Sequence, residues 1–288
     1  MVRISHRNAV SHPKSTAKPV NSKAISLDEV KFAARTQARV IRALVLRETM
    51  TRYGEHKLGF LWAFFEPLML ISILSLIFTA IGSDIAGSMP IVTFMITGFV
   101  PFTLFRDTMT QCQSAIQQNT TLMAFPQVTT FDVVIARGVL ELAVLLSVFI
   151  ILLLGATALG IDTRVDDPLG VLAAFLTLSI FGLGIGFTLA SISPLIPSTR
   201  QLVSAILGRP LFLASGLFYT AESLPTAARD ILLWNPVLHM IELARSAYFV
   251  QFDTQYGSWT YALGWSFGSL AFGLLVHQAV RRRAIIGL

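Results

Sequence analysis

The sequence predicts an all-α integral membrane protein with six transmembrane helices, an N-terminal amphipathic helix in the membrane interface, and short re-entrant helices on the outer side. Three observations lead there. Of 288 residues, 54% are hydrophobic and 13% charged, at a mean hydropathy of +0.68. A soluble domain carries about 25% charge. The apolar residues come in blocks that approach the ~20 residues a helix needs to cross a bilayer. Ahead of the first block, Arg35, Arg39, Arg42, Arg47, Arg52 and Lys57 are threaded through apolar sequence.

Residues 1–34 are rich in Ser and Lys, with no acid before Asp28 and no apolar core of the kind a signal peptide has. They predict a disordered basic cytoplasmic tail. From Arg35 the pattern turns helical: Arg35, Arg39 and Arg42 share one face, Val40, Ile41, Leu44 and Val45 lie roughly opposite, and Leu46 and Glu48 fall out of pattern. Such a helix is expected in the interface, its apolar side in the acyl boundary and Arg35, Arg39, Arg42, Arg47 and Arg52 among anionic headgroups. The alternative is a stop-transfer flank of positive charge.

Spans follow over residues 58–82, 90–105, 138–159, 170–192, 202–219 and 258–276, the second and fifth being short. Twelve of the 22 Lys and Arg precede Leu58, and Arg281, Arg282 and Arg283 sit near the other end. Both termini, including a short tail over residues 284–288, are therefore expected in the cytoplasm. The proposed outer loops agree, since residues 83–89 hold no Lys or Arg and Arg164 sits among Asp162, Asp166 and Asp167. A pI of 9.8 then reports topology and attraction to the membrane surface rather than nucleic-acid binding.

Two connections exceed what a bundle needs. The inner one, residues 106–137, is polar around Gln111-Cys112-Gln113-Ser114 and Gln117-Gln118-Asn119, then offers an apolar knob, Leu122-Met123-Ala124-Phe125-Pro126. It reads as a docking point for a soluble partner or as a plain helix–loop–helix connection. The outer one, residues 220–257, is too apolar for a solvated loop and too interrupted to cross. Short re-entrant or interfacial helices fit it, one of them over residues 239–248.

Several residues could carry chemistry. Arg209-Pro210 lies inside the fifth span, where an arginine costs about 2.5–3.5 kcal/mol on insertion scales. It reads as a binding point for an anionic substrate or as a structural ion pair with Glu66 or Glu141. Glu66-Pro67 predicts a kink in the first span, with Glu66 paired to a basic residue at the cytoplasmic gate or relaying a proton. Gly264-Trp265-Ser266-Phe267-Gly268 matches a nucleophile elbow literally, yet sits in an apolar helical run and equally forms a small-xxx-small pair for close helix packing. Gly182, Gly184 and Gly186 suit packing in the same way. The histidines show no metal spacing, and Cys112 reads as a small apolar residue near a helix end. No G-x-x-x-x-G-K-[ST] occurs, so any ATP hydrolysis belongs to a separate subunit. The aromatics, Trp62, Phe212 and Tyr219 among them, suit interface anchoring and packing, with a lining for sugar rings as the sharper alternative.

At this point the residues resemble a known family. Gln37-Ala38-Arg39-Val40-Ile41, Arg47-Glu48, Arg52-Tyr53-Gly54, Leu58-Gly59-Phe60-Leu61-Trp62 and Glu66-Pro67 are similar to the start of ABC type-2 permeases, nearest to the inner-membrane subunit of capsular-polysaccharide exporters. Arg209-Pro210-Leu211-Phe212, Ser215-Gly216 and Tyr219 resemble that family's fifth span. Leu224-Pro225, Asn235-Pro236 and Arg245 resemble its outer loop.

The resemblance runs from about Ala34 to Arg283, making residues 35–283 one transmembrane domain. It implies a homodimer with the path between subunits, two separate ABC ATPase subunits that carry ATP and Mg, and no cofactor or catalytic site in this chain. It also implies a coupling helix at Leu122, Phe125 and Pro126, a periplasmic co-polymerase, an outer-membrane channel and a lipid-linked glycan substrate, in a bacterial inner membrane. Arg209, Glu66, Trp62, Phe212 and Tyr219 would line the path. O-antigen, teichoic-acid or small-molecule permeases share the general pattern. Two rival classes are an intramembrane serine hydrolase using Ser266 with His277 or His239, and an ion-coupled carrier using Glu66, Glu141 and Asp107.

Overall fold

The computed structural model describes residues 27–53, 59–82, 89–124, 127–196, 198–203, 205 and 209–286. Most of the expected tail and the expected end at residues 287–288 lie outside them. The chain divides into two units, residues 1–36 and residues 37–288. In the first, the described part is the opening of a helix, where Thr36 Oγ1 donates to the Phe32 carbonyl at 3.0 Å.

The described elements are helical: α1 (Leu27–Tyr53), α2 (Gly59–Ile81), α3 (Ile91–Gln118), α4 (Thr130–Ala158), α5 (Pro168–Ile192), α6 (Thr199–Val203), α7 (Arg209–Ala214), α8 (Thr226–Leu232), α9 (Pro236–Tyr248) and α10 (Trp259–Ile286). Two 3-10 turns, Thr120–Ala124 and Ala221–Ser223, connect them. Among the described residues, four stretches are long and apolar enough to cross a membrane: Phe64–Ile81, Thr130–Ala158, Pro168–Ile192 and Trp259–Val280.

Several boundaries differ from expectation. The helix expected from Arg35 begins at Leu27. The helix of the second span runs past Phe105 to Gln118, and α4 begins at Thr130, so the long inner connection shrinks to residues 119–129. The polar residues that suggested a loop have helical partners instead: Gln113 Nε2 donates to Ser193 Oγ at 3.1 Å, and Gln118 receives Arg137. Thr129 and Asp132 then start α4 with a reciprocal cap, in which Thr129 Oγ1 accepts from the Asp132 amide and Asp132 Oδ2 from the Thr129 amide. α2 begins at Gly59 and carries Pro67, the site of the expected kink, within it. The fifth span is described as the short segments α6 and α7, with Tyr219 in the turn beyond them. α10 continues to Ile286, into the expected tail.

α3 is the central strut. It is buried along most of its length, Phe94, Met95, Phe99, Phe102, Leu104, Phe105 and Met109 included. Two of its buried threonines bond back along the chain, Thr93 Oγ1 to the Pro90 carbonyl at 3.0 Å and Thr97 Oγ1 to the Thr93 carbonyl at 2.9 Å. α5 lies between α3 and α10, and the spacing of its glycines explains how. Residues four apart share a helix face and residues two apart lie nearly opposite. Gly182 and Gly186 meet α3, where a Cβ on Gly182 would stand 2.9 Å from the Phe105 carbonyl oxygen. Gly184 meets the α10 backbone at Ser269 and Leu270, and Gly273 of α10 closes on the Gly184 carbonyl.

Gly264 and Gly268, expected to pack helices, have nothing within 4 Å of where a Cβ would sit. α10 approaches α5 through Ser266, Ser269 and Gly273 instead. Ser266 Oγ is buried and donates toward the Thr177 and Ala262 carbonyls at 2.9 and 2.8 Å. A side chain at position 184 should therefore be far costlier than one at 264. Gly184→Val is expected to lower stability by about 2 kcal/mol or more through overpacking, while Gly264→Val leaves it unchanged. Thermal melting of the two variants in detergent checks this.

Candidate functional site

The polar residues gather at the two ends of α3. At the end near α9, the carbonyls released by the turn after α7 need donors. Gly216 makes that turn with φ +74°, a conformation that favours glycine. Arg245 of α9, fully buried, supplies the donors: Nη1 to the Gly216 carbonyl at 2.6 Å and to Tyr219 at 3.0 Å, and Nη2 to Leu217 at 3.0 Å. Its guanidinium also lies 3.8 Å over the Phe94 ring centroid, a desolvated cation–π contact. Gly98 leaves room for it, since a Cβ there would stand 2.6 Å from Arg245 Nη2.

Glu242, one turn earlier, accepts from the Ala221 amide at 3.1 Å and from Thr254 Oγ1 at 2.9 Å. Burial pushes the Arg245 guanidinium down to about 10 and the Glu242 carboxyl up, and each charge opposes the other's shift. Asn235 completes the frame: Oδ1 caps α9 at the Val237 amide, while Nδ2 donates to the Ala214 carbonyl and Ser215 Oγ, each at 3.0 Å.

Beneath this frame is an aromatic cluster. Phe212 of α7 meets Phe99, Phe102 and Phe218 edge-on, at centroid distances of 5.6, 5.5 and 5.5 Å. Phe78 of α2 adds to it at 6.2 Å from Phe218. Tyr219 is half-buried and donates to the Leu213 carbonyl at 2.9 Å. The structure thus brings Phe212 and Tyr219 into one region. Arg209 opens α7 and Trp62 lies on α2, both with side chains outside the described residues. Glu66 is exposed on α2, within electrostatic reach of Arg106.

The other end is built by α1. Its apolar face, Val40, Ile41, Leu44 and Val45, meets protein. It packs on a buried cluster of Cys112 and Ala115 of α3, Val133, Val134 and Ala136 of α4, and Phe187 and Ala190 of α5. Leu122 of the 3-10 turn joins the same cluster, so the expected knob points inward there, while Phe125 and Pro126 lie outside the described residues. The expected basic face forms: Arg35, Arg39, Arg42, Arg47 and Arg52 are all exposed, while Arg47 Nη1 also donates to Asn119 Oδ1 at 3.1 Å and Arg52 is ion-paired with Glu141.

Glu48 pairs with Arg137 at 2.5 Å, and Gln37 donates to Asp132. Arg137 also donates to the Gln111 carbonyl, Ser114 Oγ and Gln118 Oε1, at 3.0, 2.9 and 2.7 Å. Glu141 is ion-paired with Arg52. Asp107 is bonded to Arg106 at 2.9 Å, and among the described residues no three His, Cys, Asp or Glu side chains are grouped to hold a metal ion.

The hydrolase arrangement is not assembled either. Ser266 and His277 are eleven residues apart on α10, roughly 16 Å of rise. His277 bonds Thr130 Oγ1 and Ser191 Oγ, at 2.8 and 3.0 Å, and His239 bonds the Leu233 carbonyl at 2.8 Å.

With this geometry in view, comparison with known proteins identifies the class. The model of the ABC-2 type transporter family matches residues 39–249, and the chain belongs to that family. It is similar to the polysialic acid transport protein KpsM of Escherichia coli, 29% identical over 242 residues that cover 84% of this chain and 93% of the relative. It is also similar to the capsule polysaccharide export inner-membrane protein CtrC of Neisseria meningitidis serogroup B, 31% identical over 216 residues, covering 74% and 80%. A third relative is the capsule polysaccharide export inner-membrane protein BexB of Haemophilus influenzae, 28% identical over 213 residues, covering 74% and 80%.

Sequence reading missed the pairing of α1 with α4, although its signal was present: Glu48/Arg52 and Arg137/Glu141 are two four-residue spacings of opposite polarity. The Arg245 frame predicts a large, local effect. Arg245→Leu leaves three buried carbonyls without donors, at roughly 1–3 kcal/mol each. It should lower the melting temperature sharply and speed amide exchange at residues 216–221, with Arg245→Lys intermediate.

Proposed function

We propose that this chain is the permease subunit of an ATP-driven exporter that moves a lipid-linked, acidic capsular polysaccharide across a bacterial inner membrane. The observation that carries this reading is the match to capsule-export and polysialic-acid relatives over 74–84% of the chain. The charge pattern supports it. The chain holds a net +6, concentrated toward its ends, and carries exposed Arg35, Arg39 and Arg42 on α1. Those arginines would attract an anionic lipid-phosphate anchor to the inner leaflet. The domain runs over residues 35–283, with cytoplasmic termini.

On this reading the chain crosses six times, by α2, α3, α4, α5, the α6–α7 segment and α10, while α8 and α9 form a re-entrant cap on the periplasmic side. Two copies would form the path between them, lined by Trp62 and Glu66 of α2, Arg209 and Phe212 of α7, and Tyr219. ATP binding and hydrolysis belong to two partner subunits, which would press on residues 122–126. A periplasmic co-polymerase and an outer-membrane channel would receive the product. Switching requires that the ATP-bound partners contact one conformation of the permease better than the other.

Deletion of the chain in its own host should leave finished glycan trapped in the cytosol, and the wild-type chain should restore export. A normal capsule would redirect the assignment to O-antigen, another lipid-linked polymer or a small molecule. Arg209→Ala should abolish export while assembly with the ATPase survives; loss of assembly would instead make Arg209 structural. Phe125→Asp should reduce ATPase recovery in a pull-down, and unchanged recovery would remove residues 122–126 from the coupling surface.

A further inference from the structure

We infer that residues 37–53 of α1 are fastened to α4 by a four-charge zipper and grip both ends of the coupling segment, so that this part of α1, the ends of the segment and the α1-proximal half of α4 move as one body. This rests on the proposed export reading for its consequence but not for its geometry. Glu48 and Arg52 stand one turn apart on α1, and their partners Arg137 and Glu141 stand one turn apart on α4, with the signs reversed. The contacts advance together along both helices, so the helices run in the same direction over this turn. The set sums to zero charge.

Burial is unequal in a telling way. The α4 side chains are almost fully enclosed, Arg137 at 6% and Glu141 at 1% exposure, whereas Glu48 and Arg52 are 19% and 33% exposed. α1 thus supplies the counter-charges for two ions that α4 cannot present to water. Lifting α1 away would leave both without these partners in a poorly solvated site, which is the costly way to break a buried pair.

The second half of the device is the grip on the segment. Arg47 holds Asn119, the residue that closes α3 just before the 3-10 turn. Gln37 holds Asp132, whose carboxylate also forms the cap that starts α4. Residues 120–131 are therefore tied to α1 at either end. A push on them is passed to α4 rather than lost as separation of α1. Gln37, Arg47, Glu48 and Arg52 act as positioning residues, since they touch neither substrate nor nucleotide.

The test uses the full chain in its ATPase complex. Arg52→Cys and Glu141→Cys are combined in a Cys112→Ser background and joined by a short reducible bis-thiol linker, because two long side chains meeting exceed the reach of a disulfide. The linker should form, and export by the linked protein should match that of the reduced protein. Failure to link, or export that stops until reductant is added, would overturn the single moving body.

Charge exchange provides the second arm. Arg52→Glu and Glu141→Arg should each lower export about tenfold, and the double exchange should recover most of it. No recovery would remove the zipper. Melting temperatures of the same four proteins in detergent read the pairing with no substrate present, so a wrong substrate assignment and a wrong zipper are distinguished. Finally, Gln37→Ala with Arg47→Ala should retain ATP hydrolysis while export falls about tenfold. A proportional fall in both would make these residues merely structural and overturn the grip.

Discussion

A charged side chain or an unpaired carbonyl in hydrocarbon finds no water, so each must be met from within the protein. That requirement places the buried charges of this chain at the two ends of α3. At one end Arg245 takes up the three carbonyls released where the chain turns after α7. At the other Arg137 takes up the Gln111 carbonyl, Ser114 and Gln118, and is itself neutralised by Glu48. The stretch between, Phe94 to Phe105, is packed with apolar side chains and the back-bonded Thr97. α4 is consistent with this. Its 29 residues span about 43 Å against a hydrocarbon core of about 30 Å. Asp132 and Arg137 lie within the first nine residues of α4, a length that matches this excess.

Between those ends, helices must hold together without help from water, since lipid tails are as apolar as leucine. Close approach does that here. The glycines of α5 let α3 and α10 come within backbone contact on opposite faces, and the phenylalanines of α3 and α7 fill the space where small residues are absent. The consequence is a division of the bundle. More than half of the apolar stretch of α5 is buried, against 11% of that of α2. α2 leaves Leu68, Met69, Ile73, Leu76 and Ile77 exposed. On the proposed reading that face meets lipid or the second subunit, and the well-buried α3, α4 and α5 are the frame against which α2 and α7 move.

Much of this was legible in the sequence. Apolar block length gave α2, α4, α5 and α10, and the helix expected over residues 239–248 starts three residues earlier, at Pro236 behind the Asn235 cap. What failed did so for one recurring reason: polarity was read as exposure. Gln111, Gln113, Ser114 and Gln118 looked like a loop, yet they are helical residues whose partners, Arg137 and Ser193, come from elsewhere in the chain. Arg47 and Arg52 looked like headgroup ligands; they are exposed, yet they also bond Asn119 and Glu141. The apolar face of α1 looked lipid-bound because nothing in one helix says whether its partner is acyl chain or protein. Gly264 and Gly268 matched a packing motif whose use depends on a neighbour that α5 does not provide there.

The two ends also constrain how a path could open. The turn after α7 is fixed by Arg245, Glu242 and Asn235, all on or capping α9, and α9 is itself packed on α3 and α5. Toward its other end, which carries Arg209, α7 is linked to the core through Phe212 against Phe99 and Phe102. Aromatic edge contacts of this kind tolerate sliding far better than a guanidinium holding three carbonyls, because each is worth about 1 kcal/mol and has several near-equivalent geometries. A displacement that starts at α1 and passes through α4 to α3 would therefore reach α7 by way of the ring cluster. On the proposed reading it would shift the Arg209 end of α7, while residues 214–221 stay in place, held by Asn235, Arg245 and Glu242. On the proposed reading, substrate contact at Arg209 and a closed frame at Arg245 are compatible in one cycle, because the ring contacts of Phe212 lie between them.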